Sequence, residues 1–453
     1  VPAYDFDLIT IGAGSGGVAA SRYAAAQGVR VAICEPDRVG GTCVIRGCIP
    51  KKLFMYAAQF AEGFADAPAY GWEAVRPGFD LARLTATKDA ETARLEGVYQ
   101  RLLSGSGVQL FAGRARLLDA HTVVVDGGQR LSAERILLAT GGAPAMPPIP
   151  GIGLALTSTG MLDLQQLPRR LLVLGGGYIA MEFASIFRAL GSEVVLAFRA
   201  DVPLRGFDAD LRKRAAAALR ERGVDLQPGF RPQGLERRGD TLVCRSDDGR
   251  SVEAGVALNA YGRLPNSAGL GLEALGVKLA AGSGAVCVDE YSRTAVENIY
   301  AVGDVTDRLA LTPVAIAEGR AFVDTVFGGK PRRIDHTTVA SAVFCLPPLA
   351  CIGLSEAAAR ERGLGLRVYE ADFRPMKNVV SGRGDRSYMK LIVDAASDRV
   401  LGVHMLGVDA PEIVQSLAVA VTMGASKQQF DATMALHPTA AEEFMLMRTP
   451  RSS

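Results

Sequence analysis

The chain reads as an α/β protein in which two βαβ-type domains follow one another and a C-terminal unit of α+β texture closes the sequence. Three observations carry this. Gly12-Ala13-Gly14-Ser15-Gly16-Gly17 follows an apolar strand and opens a helical run. Gly175-Gly176-Gly177-Tyr178-Ile179-Ala180 repeats that context about 160 residues later. After about Thr338 the texture changes: Leu366–Phe373, Tyr388–Asp394 and Val400–Leu406 read as strands, Pro411–Met423 and Thr439–Arg448 as helices.

In the first domain, Phe6–Ile11 is a buried strand, Val18–Gln27 a helix, and Arg30–Cys34 a second strand ending at Glu35. Strand, glycines, helix and an acid about twenty residues on form the full Rossmann fingerprint. Gly12 permits the tight turn, Gly14 lets a pyrophosphate approach the backbone, and Gly17 brings helix and strand together. The helix N-terminus offers N–H groups to phosphates, and Glu35 can accept from ribose hydroxyls. Leu84–Leu103 is helical, with Leu95, Val98, Tyr99 and Leu102 on one stripe; spacing alone makes Tyr99 a packing residue. Thr140 and Gly141 end the strand Arg135–Leu138, and Pro144–Pro150 reads as a connection between domains.

In the second domain, Leu171–Leu174 and Val194–Phe198 are the strands, and the helix after Gly177 runs through Ala189. Arg199 stands at the tip of the second strand, where an acid would bind a free 2′-hydroxyl, and Arg205 follows six residues on. Arginines there pair with a 2′-phosphate, which favours NADP(H) over NAD(H). Asn259–Asn266 reads as a turn leaving this domain. Ile299–Asp304 reads as a short strand ending in Gly303-Asp304, with Asp304 either a turn-forming residue or a ribityl ligand. Leu311–Val326 is a helix containing Arg320.

Between the first fingerprint and the helices lies Gly41-Thr42-Cys43-Val44-Ile45-Arg46-Gly47-Cys48-Ile49-Pro50-Lys51-Lys52. A thiol pair beside a bound electron carrier can exchange two electrons with it. A zinc site needs about four ligands from closely spaced pairs. Neither Cys34, Cys244, Cys287, Cys345 and Cys351 nor His121, His336, His404 and His437 supply a second pair, so no metal is expected. Near the C-terminus, His437-Pro438-Thr439-Ala440-Ala441-Glu442 leaves two readings of Glu442 open. It completes a capping box with Thr439, or it orients the imidazole of His437 as a base.

Composition narrows the class. The chain has 453 residues, enough for about three domains. Hydrophobic residues at 49% and charged residues at 22% fit a globular protein with large cores. Lys+Arg 50 against Asp+Glu 48 leaves +2, which argues against nucleic-acid and membrane-surface partners. No apolar run reaches the roughly 18 residues of a spanning helix, and no signal peptide is expected before the first strand. Seven cysteines at low density are not a disulfide scaffold; a cycling pair implies a reducing, cytoplasmic compartment.

Taken in order, GGTCVIRGCIPKK, GGGYIAMEF, the arginines of FR and PLR, YGRLPN, AVGD, LTPVAIAEGR and LHPTAAEE resemble the two-dinucleotide-binding-domain flavoprotein disulfide reductases over nearly the full length. Within them the chain is similar to the glutathione reductases, with FRPMKNVVSG and HPTAAEEFMLMRTP closest to the plant, cyanobacterial and proteobacterial branch. The resemblance implies two Rossmann-like dinucleotide-binding domains plus a C-terminal α+β dimerisation domain. The implied boundaries are residues 1–142 for FAD, 143–266 for NADPH, 267–337 for a central domain completing the FAD site, and 338–453 for the interface.

It further implies a homodimer with shared active sites, in which His437 and Glu442 act on the Cys43–Cys48 pair of the other subunit. Cys48 is the sulfur nearer the flavin and Cys43 the interchange thiol that attacks glutathione disulfide. Gly12, Gly14, Ser15, Gly17, Glu35, Thr42, Lys51, Thr140, Gly141, Asp304 and Thr312 are implied for FAD. Gly175, Gly177, Tyr178 as a lid, Ile179, Glu182, Arg199, Arg205, Gly262 and Arg263 are implied for NADPH. Lys51 and Glu182 match an ion pair beside the flavin; read bare, each is a helix-start charge. Ser15, Arg22, Tyr99 and Arg320 fall on substrate positions, although Arg22 alone reads as an exposed helix residue. Glutathione disulfide is net negative, so Arg22 and Arg46 favour it over the basic trypanothione. The extra C-terminal cysteines of thioredoxin and mercuric reductases are missing, and dihydrolipoamide dehydrogenases would want an acid at Arg199. Leu346 departs from the polar residue or His that many relatives place there.

Overall fold

The computed structural model describes residues 3–452. The chain forms two compact units, each drawn from three segments. The first runs to Lys51 and takes up again over Thr85–Ala145 and Gly262–His336. The second comprises Lys52–Leu84, Met146–Tyr261 and the chain from Thr337 onward.

The first unit is built on a seven-stranded sheet. Its order is Gln109–Ala112, Val31–Glu35, Phe6–Ile11, Gln129–Leu138, Thr122–Val125 and Ala115–Leu117, with Ile299–Ala301 added in parallel to Gln129–Leu138. Its central strands are apolar runs because both faces are covered. Leu8, Ile33 and Leu137 pack with Val18 and Phe322 on one side. Ile9, Cys34, Ile136 and Leu138 pack with Leu270 and Leu272 on the other. The first helix starts at Ser15 rather than Val18, because the fingerprint glycines form its opening turn. The stretch Asn259–Asn266 is more than a turn: Arg263–Pro265 pairs antiparallel with Gly142–Pro144.

The second unit holds a parallel sheet in the order Asp225–Pro228, Glu193–Phe198, Arg170–Leu174 and Val256–Asn259. It also holds an antiparallel sheet in the order Ser341–Val343, Leu349–Gly353, Val400–Leu406, Ser387–Asp394 and Leu366–Phe373. Phe183, Phe187, Leu196 and Val343 share one core, while Met389, Val403, Val414 and Phe444 form another. The expected helix Thr439–Arg448 is only a 3-10 turn, Ala440–Glu442, and a short α-helix, Glu443–Leu446. It stops because Met447 turns extended and its carbonyl accepts from buried Lys427 Nζ at 2.7 Å.

Candidate active site

The segment between the glycines and the first long helix folds as one wide π turn, Thr42–Arg46, followed by the helix Cys48–Asp66. It rests on the fingerprint loop. Gly41 has φ +62°, and a Cβ there would lie 2.6 Å from Gly14 Cα. Two glycine backbones therefore touch where side chains would hold them apart. This packing sets Cys43, half-buried, against Cys48, exposed at the helix start. The hydrogen bond to Cys48 and then burial both push the Cys43 thiol well up, against weaker opposing bonds from Thr312 and Ser15. Thr312 Oγ1 also lies 3.7 Å from Cys48 Sγ. A thiol held protonated in this way needs an external base to become a nucleophile.

Of the expected substrate residues, Ser15 and Tyr99 reach Cys43, and Arg22 reaches Tyr99. Tyr99 is close enough to Cys43 and Arg22 to feel both charges; burial raises its phenol first, Cys43 adds to that, and Arg22 opposes it. Arg22 has a buried Nε with no hydrogen-bond partner. Arg320 stands exposed on the helix Thr312–Val326, about 12 Å along its axis from Thr312. Arg46 corrects one expectation. Its guanidinium is ion-paired with Asp37, so its charge is offset rather than presented to a substrate.

The residues expected to hold FAD fit a dinucleotide. The helix Ser15–Ala25 has no side-chain cap, which leaves first-turn N–H groups for phosphate oxygens. A Cβ on Gly12 would meet Ala139 O at 2.4 Å, whereas one on Gly14 meets nothing nearer than Gly41 Cα at 3.9 Å. Glu35 braces the loop by accepting from Ala13 N at 2.7 Å and Asp37 N at 3.1 Å. Thr140 Oγ1 donates to Asn266 O at 2.7 Å beside Gly141. Lys51 lies one turn after Cys48, and its amide donates to Gly47 O at 3.0 Å. Asp304 has its carboxyl raised by burial, with Arg263 opposing that shift. Gly262 and Arg263, expected on the NADPH side, lie in the first unit. There Arg263 bonds Gly142 O and reaches Thr42 Oγ1 at 3.2 Å.

One group in this unit escaped the sequence reading. Glu318 is 1% exposed and accepts from Gly303 N at 2.7 Å, the residue before Asp304. His336 Nε2 at 2.7 Å and Arg308 Nη2 at 2.9 Å reach its other oxygen. The signal was present: Glu318 is the one acid on a helix face shared with Val314, Ala315, Ala321 and Phe322.

In the second unit, the helix Tyr178–Leu190 likewise starts without a side-chain cap, and a Cβ on Gly177 would meet nothing within 4 Å. A Cβ on Gly175 would meet Ala260 O at 2.3 Å, as at Gly12. Tyr178 is 43% exposed beside half-buried Ile179. Glu182 is buried and accepts from Phe344 N at 2.9 Å. Leu346 is buried too, its amide donating to Ser185 Oγ at 3.2 Å. Arg199 and Arg205 are both exposed, and among the described residues neither forms an ion pair.

The two readings of Glu442 turn out to be compatible. Thr439 and Glu442 form a reciprocal capping box. The same carboxylate takes His437 Nδ1 at 3.0 Å. The cap therefore fixes the carboxylate, the carboxylate fixes the ring, and the imidazole is 79% exposed with Nε2 left for chemistry. Among the described residues there is no cluster suited to a metal.

Two dinucleotide loops, a thiol pair against one of them and a carboxylate-held histidine define a pyridine-nucleotide-linked disulfide reductase. The chain belongs to that family. Residues 6–319 match the pyridine nucleotide-disulphide oxidoreductase model, and residues 339–448 match its dimerisation domain. FAD and NADPH are the cofactors of the family. The chain is 50% identical to glutathione reductase of Burkholderia cepacia, covering 99% of each. It is 45% identical to that of Nostoc sp., covering 98% of this chain and 100% of the relative. Trypanothione reductase of Trypanosoma congolense is 40% identical, covering 98% and 96%. Among solved structures, the HOCl-induced flavoprotein disulfide reductase RclA from Escherichia coli superposes with a TM-score of 0.88 at 29% identity, covering 98% and 99%.

Proposed function

We propose that the chain is an NADPH-dependent glutathione-disulfide reductase in which Cys43 and Cys48 carry electrons to the substrate. The observation that carries this is the thiol pair packed on the first dinucleotide loop through Gly14 and Gly41. Bound FAD supplies the two-electron relay between NADPH and the pair. Gly12, Gly14, Gly17, Glu35, Thr42, Thr140, Gly141, Asp304 and Thr312 hold it, with Arg263 on Thr42. Lys51, one turn after Cys48, and buried Glu182 would each offer a charge for the flavin's reactive side. Arg199 and Arg205 hold the 2′-phosphate, and Tyr178 covers the nicotinamide side.

His437 removes the Cys43 proton. The Cys43 thiolate attacks one sulfur of glutathione disulfide, breaking its S–S bond and forming a mixed disulfide. The first glutathione leaves as a thiolate and takes the proton from His437. Cys48 thiolate then attacks Cys43 sulfur, which reforms the Cys43–Cys48 disulfide and releases the second glutathione. Glu442 orients His437 throughout.

The protein works as a homodimer in which His437 of each chain serves the Cys43–Cys48 pair of the other. Two features support this: the match of residues 339–448 to a dimerisation domain, and the exposure of Val419, Met423, Met434 and Leu436 in the stretch of chain that precedes His437. A reducing, cytoplasmic compartment suits a cycling pair, and no helix among the described residues is long and apolar enough to cross a membrane. A second reading, a trypanothione-type substrate, has the 40% identical relative in its favour. Against it stands Arg22, whose cationic head beside Tyr99 suits an anionic disulfide. Comparing turnover on the two disulfides, with wild type and R22E, tests the choice. Faster turnover on trypanothione disulfide by the wild type contradicts the assignment.

A further inference from the structure

The segment from Arg199 to Asp208 joins the strand Glu193–Phe198 to the helix Ala209–Glu221. Its two exposed arginines have no ion-pair partners among the described residues to orient them. The backbone beneath them, by contrast, is fixed at several points. Arg212, on the following helix, donates from Nε to Pro203 O and from Nη2 to Val202 O, each at 2.7 Å. Leu204 is 1% exposed with φ 61°, a conformation rare outside glycine, and its amide donates to Gly176 O at 2.7 Å. That bond staples the arginine segment to the second glycine loop. Asp208 caps the helix and accepts from buried Lys390 at 2.9 Å.

A planar fork gripping two successive carbonyls is a geometric clamp. Among the described residues Arg212 has no carboxylate partner, so both of its contacts go to this one stretch of backbone. We propose that Arg212 is a positioning residue for NADPH over NADH: its guanidinium fixes Val202 and Pro203, and thereby presents Arg199 and Arg205 to the 2′-phosphate. The inference rests on the reading of those two arginines as the 2′-phosphate site. Strained Leu204 needs such support, because a left-handed leucine persists only where its surroundings over-determine it.

The test uses the full-length, FAD-loaded protein. Affinities for ADP-ribose 2′-phosphate and for ADP-ribose, which differ only in that phosphate, are measured by calorimetry for wild type, R212M, R212K, R199M and R205M. Steady-state constants with NADPH and NADH run beside them. R212M and R212K both weaken the phosphorylated ligand about tenfold and leave the other within about twofold. KM for NADPH rises to match, and kcat holds. Equal weakening of both ligands, or failure of both Arg212 variants to fold with flavin, makes the role merely structural and overturns the proposal. Full recovery in R212K overturns it too, since charge and not the fork then matters. If R199M and R205M narrow the preference while both Arg212 variants do not, this inference alone fails. If R199M and R205M leave the preference intact, the arginine reading itself fails.

Discussion

At the scale of single residues, the chemistry divides between a thiol that resists ionisation and a histidine built to assist it. Cys43 is pushed up by its bond to Cys48 and by burial. His437 is exposed and held at Nδ1 by Glu442. H437A is expected to lower turnover on glutathione disulfide by about 10²–10⁴. Rapid-mixing absorbance should still show NADPH reducing the bound flavin; loss of that half-reaction contradicts the division of labour. Glu318 gives a second prediction. E318Q removes the charge that Arg308 and His336 share and weakens the hold on the Gly303–Asp304 turn. FAD should dissociate faster on dilution, by about tenfold, read from the rise in free-flavin fluorescence. An unchanged rate separates this cluster from the cofactor.

At the scale of elements, the glycine loops do more than bind. The Thr42–Arg46 turn can sit where it does only because Gly14 and Gly41 lack side chains. G41A places a Cβ 2.6 Å from Gly14 Cα at a positive φ, and is expected to cost about 1–3 kcal/mol. The falling melting temperature should be accompanied by a changed visible spectrum, because the thiol pair moves with the loop. A variant that melts and absorbs like wild type contradicts this.

Both fingerprints, their strands and the redox stretch were legible in the sequence because each is local: apolar run, glycines and helix follow one another within tens of residues. The pairing of His437 with Glu442 was local as well, five residues apart. What was not legible depends on distant or off-pattern partners. Asp37, nine residues from Arg46, cancels a charge that looked available. Lys427 ends the last helix by taking Met447 O from twenty residues away. Glu318 was overlooked because its partners are His336, Arg308 and a backbone amide that periodicity does not connect.

At the scale of the whole molecule, charge clusters tie distant stretches of the second unit together. Lys390, 1% exposed, lies 2.9 Å from Asp208, 2.7 Å from Asp210 and 2.8 Å from Glu356. Arg451 joins from near the C-terminus, 2.7 Å from Glu356 and from Glu370. Burial alone would raise the Glu356 carboxyl; bonds from Lys390, Arg360 and Arg451 outweigh it and hold it down to about 2. Because the folded value is depressed, its stabilisation is complete above the ordinary value of 4.5 and is lost as pH falls toward 2. The melting-temperature gap between wild type and E356Q should therefore be widest above about pH 4.5 and close toward pH 2. A gap independent of pH contradicts the assignment. Assembly gives the other prediction at this scale. M423D, at a side chain 82% exposed, should shift sedimentation from dimer to monomer and remove disulfide reduction. A fully active monomer rules out sharing of His437 between chains.

The most direct measurement is NADPH consumption by the FAD-loaded protein with glutathione disulfide, trypanothione disulfide and lipoamide in parallel, and NADH run beside NADPH. Fast turnover confined to NADPH with glutathione disulfide is the predicted result. Turnover with another disulfide but not glutathione disulfide would keep the Cys43–Cys48 centre and contradict the substrate assignment; equal use of NADH would contradict the reading of Arg199 and Arg205.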